Sequence, residues 1–191
     1  GSGSAVRESM IESGHISGSF DPLGHSYKEL TIPPDKSDEF QLEPNALHIW
    51  PRGKFMLIAL PNMDRSFTVT LFLPNTGDIS FSTIRSLDDL NSLFEKNFLD
   101  IFELMPSLQT DYFSNPTGKL GTVRCSQWNV NESVLIGDAA HAVVPFFGQG
   151  MNASFEDCTV LNQMIDSSVG WKDLFESFSI KRKIDGDAIA D

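Results

Sequence analysis

Residues 137–152, which read GDAAHAVVPFFGQGMN, concentrate the residue types in this chain that are best suited to chemistry. The stretch combines a carboxylate at Asp138, a histidine at His141 and a proline at Pro145 with three glycines. A short apolar run at 133–136 comes directly before it, and helical spacing begins at its end. This order predicts a buried strand that delivers a carboxylate to a ligand, followed by a stiff loop and a glycine-rich helix start.

That arrangement suits a ligand that carries hydroxyl groups and negative charge. Asp138 could accept hydrogen bonds from a ribose-like pair of hydroxyls, and Gly137 would let the backbone come close to a bulky ligand. The helix opened by Gly148-Gln149-Gly150 would present free N–H groups and the positive end of its dipole to an anionic atom. A flavin has both features, since its ribityl chain carries hydroxyls and its reduced ring carries negative charge.

A purely structural interpretation of the same residues is also possible. Asp138 could cap a short helix at 139–141, and the glycines could serve ordinary turns. His141 by itself is more often a packed or solvated side chain than a catalytic base. The sequence offers no Ser-His-Asp or His-carboxylate set at a defensible spacing and no metal-ligand pattern. We therefore predict no acid–base group and no metal site.

Three apolar runs at 46–50, 54–60 and 67–73, separated by turn-forming residues, predict an antiparallel meander. Alternation in the last run sets one apolar face against another that holds Phe72 and two threonines. The residues of the apolar face are Phe67, Val69, Leu71 and Leu73. In the middle run, both faces are apolar enough that we expect both to be covered.

A helix at 86–105 is the clearest helical prediction, with Ser86 as its N-cap and Pro106 at its end. Its apolar stripe is expected to pack against the sheet. The other predicted elements are a short helix within 1–13, loops with one edge strand near 27–32 across 14–45, strands at 121–125 and 133–136, and helices at 150–166 and 171–183. This mixed order predicts an α+β fold and not a regular βαβ alternation.

Bulk composition excludes several classes of partner. The 191 residues carry a formal charge of −12 and are 40% apolar, which is enough for one sizeable core or a core with a subdomain. An acidic surface repels nucleic-acid phosphate and anionic lipid, so neither is expected as a partner. The chain has only two cysteines and nothing that resembles a signal peptide, which predicts a reduced, intracellular protein. No apolar run approaches the ~20 residues of a membrane-spanning helix.

The opening stretch resembles the second flavin fingerprint of the single-component, FAD-dependent aromatic hydroxylases, in which Gly-Asp-Ala-Ala-His is followed by a Pro and then by Gly-x-Gly-x-Asn. Two longer stretches, VPFFGQGMNASFEDC (144–158) and HIWPRGKFMLIALPNMDRSFTVTLFLP (48–74), are similar to members that act on L-kynurenine. The resemblance implies a flavoprotein monooxygenase that uses FAD, NADPH and O2. It would hydroxylate the ring of this small aromatic amino acid ortho to its amino group, within part of an α/β flavoprotein hydroxylase fold.

The resemblance also assigns roles to individual residues. The cofactor-binding residues that it implies are Gly137, Asp138, Pro145, Gly148, Gly150, Met151 and Asn152. Asp138 would hold the ribityl hydroxyls, and Gly150, Met151 and Asn152 would offer N–H groups to the pyrimidine edge of the flavin. Pro145 would take the catalytic position near flavin C4a. The implied substrate-binding residues are Leu47, Met56, Ile58, Leu60 and Phe72 on the sheet, with Phe146, Phe147 and Gln149 on the loop.

The family's strand and Gly-x-Gly-x-x-Gly motif, which hold the FAD pyrophosphate, have no counterpart in the sequence. The opening GSGSAVR either matches the end of the family's Asp-Gly motif or is a linker, and Val6-Arg7 favours the motif. We therefore expect a middle piece of an enzyme that on its own does not retain FAD. The expected parts are an Asp-Gly remnant at 1–13, a substrate domain at 14–125 and the end of the FAD domain at 126–191. The family's eukaryotic members also carry an anchor for the mitochondrial outer membrane.

Two alternatives stay open. The chain could belong to another FAD-dependent ring hydroxylase, such as one that acts on phenols or quinone rings, or it could be a truncated, non-catalytic binding module. Under the favoured interpretation the meander is a partition. A helix covers the face that holds Leu71, and the substrate meets the face that holds Phe72.

Overall fold

The computed structural model describes residues 1–165 and 170–191, with the side chain of Phe147 outside the described part. The helices are α1 (Ala5–Glu12), α2 (Leu87–Asn97), α3 (Leu99–Phe102), α4 (Leu108–Ser114), α5 (Asp138–His141), α6 (Gln149–Ile165) and α7 (Trp171–Ala190). The strands are β1 (Gly18–Ile32), β2 (His48–Arg52), β3 (Phe55–Pro61), β4 (Phe67–Pro74), β5 (Thr117–Cys125), β6 (Asn129–Val130) and β7 (Ser133–Val134). The predicted α+β fold is confirmed.

The chain divides into two compact units. Unit 1 consists of Gly1–Leu23 together with Gly121–Asp191, and unit 2 is the continuous segment Gly24–Leu120. The division proposed from the sequence, with borders after residues 13 and 125, concerns ligand-binding roles and stays a prediction.

The sheet has the strand order β2-β3-β4-β1-β5. Strands β2, β3 and β4 form the predicted antiparallel meander, and β4 also pairs in antiparallel fashion with β1. The register places Met56 opposite Phe72 and Leu57 opposite Leu71. Because side chains alternate along each strand, paired residues share a face, and Leu57 and Leu71 therefore belong to the face opposite Met56 and Phe72.

The core of unit 2 lies between one face of this sheet and the helices α2 to α4. Its strand residues include the predicted set Phe67, Val69, Leu71 and Leu73, each fully buried. The helices contribute Leu90, Phe94 and Ile101 to it, and the connections between them contribute Phe98 and Met105. The prediction that a helical stripe covers this particular face is confirmed. On the other face of β3, Met56 and Ile58 are half-buried and Leu60 is exposed, so the described residues cover this face only in part.

The predicted helix at 86–105 is interrupted. It begins with a capping box, in which Ser86 Oγ accepts the Asp89 N–H at 3.2 Å and Asp89 Oδ2 accepts the Ser86 N–H at 2.9 Å. It stops at Asn97, because Phe98 leaves the helical conformation with φ −140° and ψ 35°. The buried Phe98 ring packs edge-on against Phe55, with 6.0 Å between ring centroids. Tertiary packing thus overrides a sequence periodicity that runs on through the break.

Strand β1 corrects the prediction of loops and one edge strand across 14–45. It has 15 residues and lies between β4 and β5 in the sheet. Its first seven residues, 18–24, are all exposed, so they lack the alternation that signals a half-buried strand. Pro22 also lies in this part, where its missing N–H argues against a strand in sequence terms. Helix α4, with Leu108 and Tyr112 buried, was likewise not predicted.

Unit 1 has its own core, to which α1, β5, the β6–β7 hairpin, α5 and α7 contribute. Its buried residues are Met10, Ile16, Val123, Cys125, Trp128, Leu135, Ala140, Ala142 and Phe178. The strand predicted at 133–136 is reduced to Ser133–Val134, which pairs only with Asn129–Val130. Leu135 is buried, but Ile136 is 37% exposed. A strand needs neighbours to hydrogen-bond with, and the described residues supply only this two-residue partner.

Helix α7 extends beyond the predicted end at residue 183, and Gly186 explains both the extension and its poor sequence signal. Glycine weakens a helical pattern, so the sequence argues for an earlier end. In the structure, a Cβ at Gly186 would lie 2.8 Å from Cη2 of Trp128. The glycine is therefore required for the close approach of α7 to the buried indole ring.

Candidate cofactor site

A cavity of about 670 Å³ in unit 1 gathers most of the residues that the sequence assigned to a cofactor. The predicted residues that line it are Gly137, Asp138, Pro145, Gly148, Gly150 and Met151. Ser154, Phe155 and Cys158 of helix α6 complete one wall, and none of these three was predicted. The local order of turn, loop and helix start brings these residues together although no long strand precedes them.

Gly137 can only be glycine in this conformation. Its φ of 57° and ψ of −144° lie in a region that side-chain-bearing residues avoid. A Cβ on this residue would also lie 2.9 Å from Oγ of Ser154. The turn before Asp138 is therefore packed tightly against α6.

Asp138 is the first residue of α5, and it is exposed. The N-cap of this helix is Gly137, with no side-chain capping bond, so the alternative in which Asp138 is a capping residue is wrong. The carboxylate is thus available to a ligand at the cavity wall, where it can accept two hydrogen bonds from neighbouring hydroxyls.

The loop between α5 and α6 supplies the opposite wall. Pro145 starts a single 3₁₀ turn over Pro145–Phe147, and Gly148 closes it in the left-handed conformation with φ 65°. Helix α6 then begins at Gln149 with no acidic residue in its first turn. Its N-terminal N–H groups make this end favourable for an anionic atom. Asn152 is exposed and does not line the cavity, and its Nδ2 lies 3.3 Å from Oε1 of Gln149.

A buried ionic cluster behind the cavity was not predicted. Asp157 accepts hydrogen bonds from the Gly137 N–H at 2.8 Å, from His141 Nε2 at 2.6 Å and from Arg182 Nε at 2.9 Å. Asp157, His141 and Arg182 are 0%, 3% and 1% exposed. No local pattern could reveal it, because its members come from three helices with no motif that relates their positions.

Electrostatics keeps the Asp157 carboxylate ionised. Burial by itself raises the pKa of Asp157, but the hydrogen bonds from His141, Gly137 and Arg182 outweigh it and hold the pKa below its ordinary value. His141 uses Nε2 on this carboxylate, and its ring stacks on Trp128 with 4.6 Å between centroids. The pair does not line the cavity, so the prediction that His141 is a packed side chain and not a catalytic base is supported.

The two cysteines differ in environment. Cys125 is buried, and burial raises the pKa of its thiol, although Arg7 and Lys183 act in the opposite direction. Cys158 is exposed and lines the cavity. A thiol-specific reagent can therefore distinguish the cavity from the core.

The N-terminal segment packs as part of unit 1. Ser4 caps α1 by accepting the Arg7 N–H, and Arg7 itself is 6% exposed. Its guanidinium donates from Nη1 to the Ala139 carbonyl at 3.1 Å and from Nη2 to the Ser2 carbonyl at 2.5 Å. These contacts favour the motif interpretation of GSGSAVR over the linker interpretation.

The sheet residues predicted to contact a substrate belong to unit 2. Met56 and Ile58 are half-buried, while Leu47 and Leu60 are 53% and 46% exposed. Phe72 is only 4% exposed, and its ring contacts Tyr27 with 6.3 Å between centroids. Phe72 is absent from the core beneath the helices, which agrees with the predicted partition.

Phe146 and Gln149, the loop residues given the same role, belong to unit 1, where the Phe146 ring is 41% exposed. The prediction for the Phe147 side chain falls outside the described part of the structure.

Within residues 1–165 and 170–191, no three His, Cys, Asp or Glu side chains are grouped so that they could hold a metal ion. None of the helices in this described part of the chain combines the length and apolarity that crossing a membrane requires.

The cavity fits the flavin end of FAD in its donor and acceptor chemistry. An exposed carboxylate, a backbone turn at Gly137 with no room for a Cβ and a helix N-terminus lie around one space. These groups match a hydroxylated chain next to a ring that becomes anionic on reduction.

Comparisons with known proteins agree with this assignment. Residues 105–184 match the family described as FAD binding domain. The whole chain is 49% identical to kynurenine 3-monooxygenase of Myxococcus xanthus and 47% identical to that of Flavobacterium johnsoniae. It spans 41% and 43% of the length of these two relatives. These named relatives bear out the resemblance stated from the sequence, and the match to an FAD binding domain agrees with the expected cofactor.

Solved structures show the same fold at low sequence identity. A tetrameric 2-methyl-3-hydroxypyridine-5-carboxylic acid oxygenase aligns over 94% of this chain and 48% of its own, with a TM-score of 0.74 and 18% identity. Klebsiella pneumoniae HpxO, in complex with FAD and uric acid, aligns over 100% of this chain and 47% of its own, with a TM-score of 0.73 and 17% identity.

Proposed function

We propose that this chain belongs to a kynurenine 3-monooxygenase, which hydroxylates L-kynurenine to 3-hydroxykynurenine with NADPH and O2. The carrying observation is the cavity in which Gly137, Asp138 and the start of α6 surround one space with the chemistry of a flavin site. The identity of 49% to a named enzyme supports the substrate. When bound, FAD supplies the redox chemistry that accepts electrons from NADPH and activates O2.

The residues of unit 1 would act by binding and orientation. Asp138 would accept hydrogen bonds from the ribityl hydroxyls. Gly150, Met151 and Asn152 would direct N–H groups of the α6 N-terminus to the pyrimidine edge, where they stabilise negative charge. Pro145 would shape the wall on the side where O2 reacts, and its ring keeps that wall rigid.

The sheet face of unit 2 that carries Met56, Ile58 and Leu60, the half-open face, would supply apolar contacts to the aromatic ring of the substrate. Met56, Ile58 and Leu60 offer accessible apolar surface there, while Phe72 contributes mainly by packing beneath it. The amino group of kynurenine already activates its ring, so the reaction needs no strong side-chain base. The burial of the His141–Asp157 pair away from the cavity is consistent with this proposal.

Two alternative functions can be distinguished from this one, the first by its substrate and the second by the absence of turnover. A hydroxylase for phenols or quinone rings would share the FAD site but not the preference for an amino-acid substrate. A non-catalytic module would bind FAD without turnover. The proposed location is intracellular, since the named relatives are bacterial enzymes and the sequence has few cysteines. No comparison supports the mitochondrial outer membrane.

The activity is tested with the full-length gene product, FAD, NADPH and O2. We expect kynurenine-dependent NADPH oxidation coupled to formation of 3-hydroxykynurenine, identified by mass spectrometry. Simple phenols and urate serve as competing substrates. Equal or faster hydroxylation of a phenol would instead favour a different ring hydroxylase.

The cofactor location is tested by alkylation of cysteines with a maleimide. Cys158 lines the cavity, so in the full-length gene product it should react when FAD is absent, and bound FAD should protect it. The buried Cys125 is the internal control and should remain unmodified in both states. Reaction of Cys158 at the same rate with saturating FAD would show that the cofactor lies elsewhere.

A further inference from the structure

The buried cluster of Asp157, His141 and Arg182 has a specific geometric relation to the cavity. One oxygen of Asp157, Oδ2, accepts from the Gly137 N–H at 2.8 Å and from His141 Nε2 at 2.6 Å. Gly137 is the residue directly before α5, and His141 is its last residue. A single carboxylate oxygen therefore accepts hydrogen bonds from both ends of the helical turn that carries Asp138.

Helix α5 is too short to be stable without contacts to the rest of unit 1. It has four residues, no side-chain capping bond and few internal hydrogen bonds, among them Ala140 N–H and His141 N–H to the Gly137 carbonyl. An isolated turn of this length is unstable in water, because its hydrogen bonds do not offset the cost of ordering the backbone. The placement of Asp138 must therefore come from contacts outside the turn.

The second oxygen of the Asp157 carboxylate is bound by α7. Asp157 Oδ1 accepts from Arg182 Nε at 2.9 Å, and this buried guanidinium also pairs with Glu156 and Asp185 at 2.9 and 2.7 Å. The His141 ring stacks on fully buried Trp128, which the missing side chain of Gly186 allows to approach α7. The carboxylate thus links α6 and α7 to the Asp138 turn.

We propose that Asp157 is a positioning residue for cofactor binding: through Gly137 and His141 it sets the place of the Asp138 carboxylate at the cavity. Asp157 does not itself line the cavity, although its helix neighbours Ser154 and Cys158 do. This inference rests on the proposed function, in that the cofactor bound at Asp138 is FAD.

The decisive variant is Asp157→Asn in the full-length gene product. Asparagine has only one acceptor oxygen, so it leaves either Arg182 Nε or the Gly137 N–H and His141 without an acceptor; Asp157→Ala, which removes both oxygens, must weaken FAD binding at least as much. We expect the Kd for FAD to rise at least about tenfold, as the loss of a charge-assisted hydrogen bond implies. Hydrogen–deuterium exchange of the protein without FAD should increase selectively across residues 136–142.

Two matched variants separate positioning from general instability. Asp185→Asn removes another partner of the same guanidinium but leaves the bonds to Gly137 and His141 in place, so the FAD affinity should stay within about twofold. Leu174→Ala removes a buried apolar side chain from α7 of unit 1 and none of the hydrogen bonds of the cluster. It should lower the thermal midpoint while 136–142 exchanges no faster than the rest of unit 1.

Each outcome decides the inference. If Asp157→Asn binds FAD as tightly as the wild type, or if Leu174→Ala weakens FAD binding as much at equal loss of thermal stability, Asp157 is a structural residue and the inference is wrong. These results would leave the proposed function intact, provided that FAD still protects Cys158 in the wild type. Failure of the wild type to bind FAD at all would overturn the proposed function and the inference together.

Discussion

Among the described residues that line the candidate cofactor cavity, Asp138 is the only one with a carboxylate, and it is exposed. In the full-length gene product, Asp138→Ala should therefore weaken FAD binding by about 1.5–3 kcal/mol, the value of a charge-assisted hydrogen bond. Equilibrium titration with FAD measures this loss, and the affinity for kynurenine should change little. Asp138→Asn keeps an acceptor without the charge and should lose less. A parallel loss of both affinities in the alanine variant would point to misfolding.

Asp157 should make stability depend on pH in the acid range. Its pKa in the folded state lies below its ordinary value of 3.8 because the hydrogen bonds to the carboxylate outweigh the effect of burial. The unfolded chain then binds more protons near that pH. This carboxylate accordingly contributes stability that is fully present above the unfolded pKa and is lost as the pH falls through the folded pKa.

Urea unfolding of the wild type and of Asp157→Asn tests this at several pH values. At pH 7 the wild type should be the more stable of the two, and the difference in free energy of unfolding should shrink as the pH falls below about 4. A difference that is the same at pH 7 and at pH 3 would show that the carboxylate charge does not carry the stabilisation.

At this scale the sequence predicts residues whose chemistry is local and misses those that act across elements. Gly137 and Asp138 could be assigned because a tight turn and a carboxylate stand next to each other in a dense motif. The contacts of Asp157 and Arg182 could not, because they depend on how α6 and α7 pack. A buried ion pair leaves no periodic signal in a sequence.

Among the elements, β4 was predicted best because its alternation is strict. The face of Phe67, Val69, Leu71 and Leu73 is fully buried beneath the helices, as expected. Periodicity did not predict the interruption at Phe98 or the exposed first half of β1. At Phe98 the apolar periodicity continues across the break. In the first half of β1 the residues on both sides of the strand are exposed, so apolar and polar residues do not alternate there.

The two faces of the meander should respond differently to truncation. Leu71→Ala removes a fully buried side chain beneath the helices and should destabilise unit 2 by about 2–5 kcal/mol. Met56→Ala, on the half-open face, should cost less stability and should raise the kynurenine KM of the full-length gene product. Urea unfolding and steady-state kinetics measure the two effects.

Phe72 is a less suitable probe of that face than the sequence implied. At 4% exposure, its replacement by alanine should also cost stability, so a change in KM would be ambiguous. For Met56, an unchanged KM together with a stability loss as large as that of Leu71→Ala would show that both faces are ordinary core.

On the scale of the whole molecule, the chain folds as one continuous unit and one divided unit. Unit 2 runs without interruption from Gly24 to Leu120, whereas unit 1 is built from two separate segments. Every buried residue of the cluster beneath the helices belongs to unit 2, from Leu30 to Tyr112. A segment with its own hydrophobic core satisfies the usual physical definition of a domain.

The segment 24–120, produced alone, should therefore fold cooperatively. We expect a single urea transition, monitored by circular dichroism and by the fluorescence of Trp50, as is usual for a domain of this size. Leu71→Ala in the same segment should shift the transition to lower urea concentration with little change in its slope, because it lowers stability without changing the surface exposed on unfolding. A gradual loss of signal without a transition would mean that the strands β1 and β5, which the excision shortens, need their unit 1 residues to hold the sheet together.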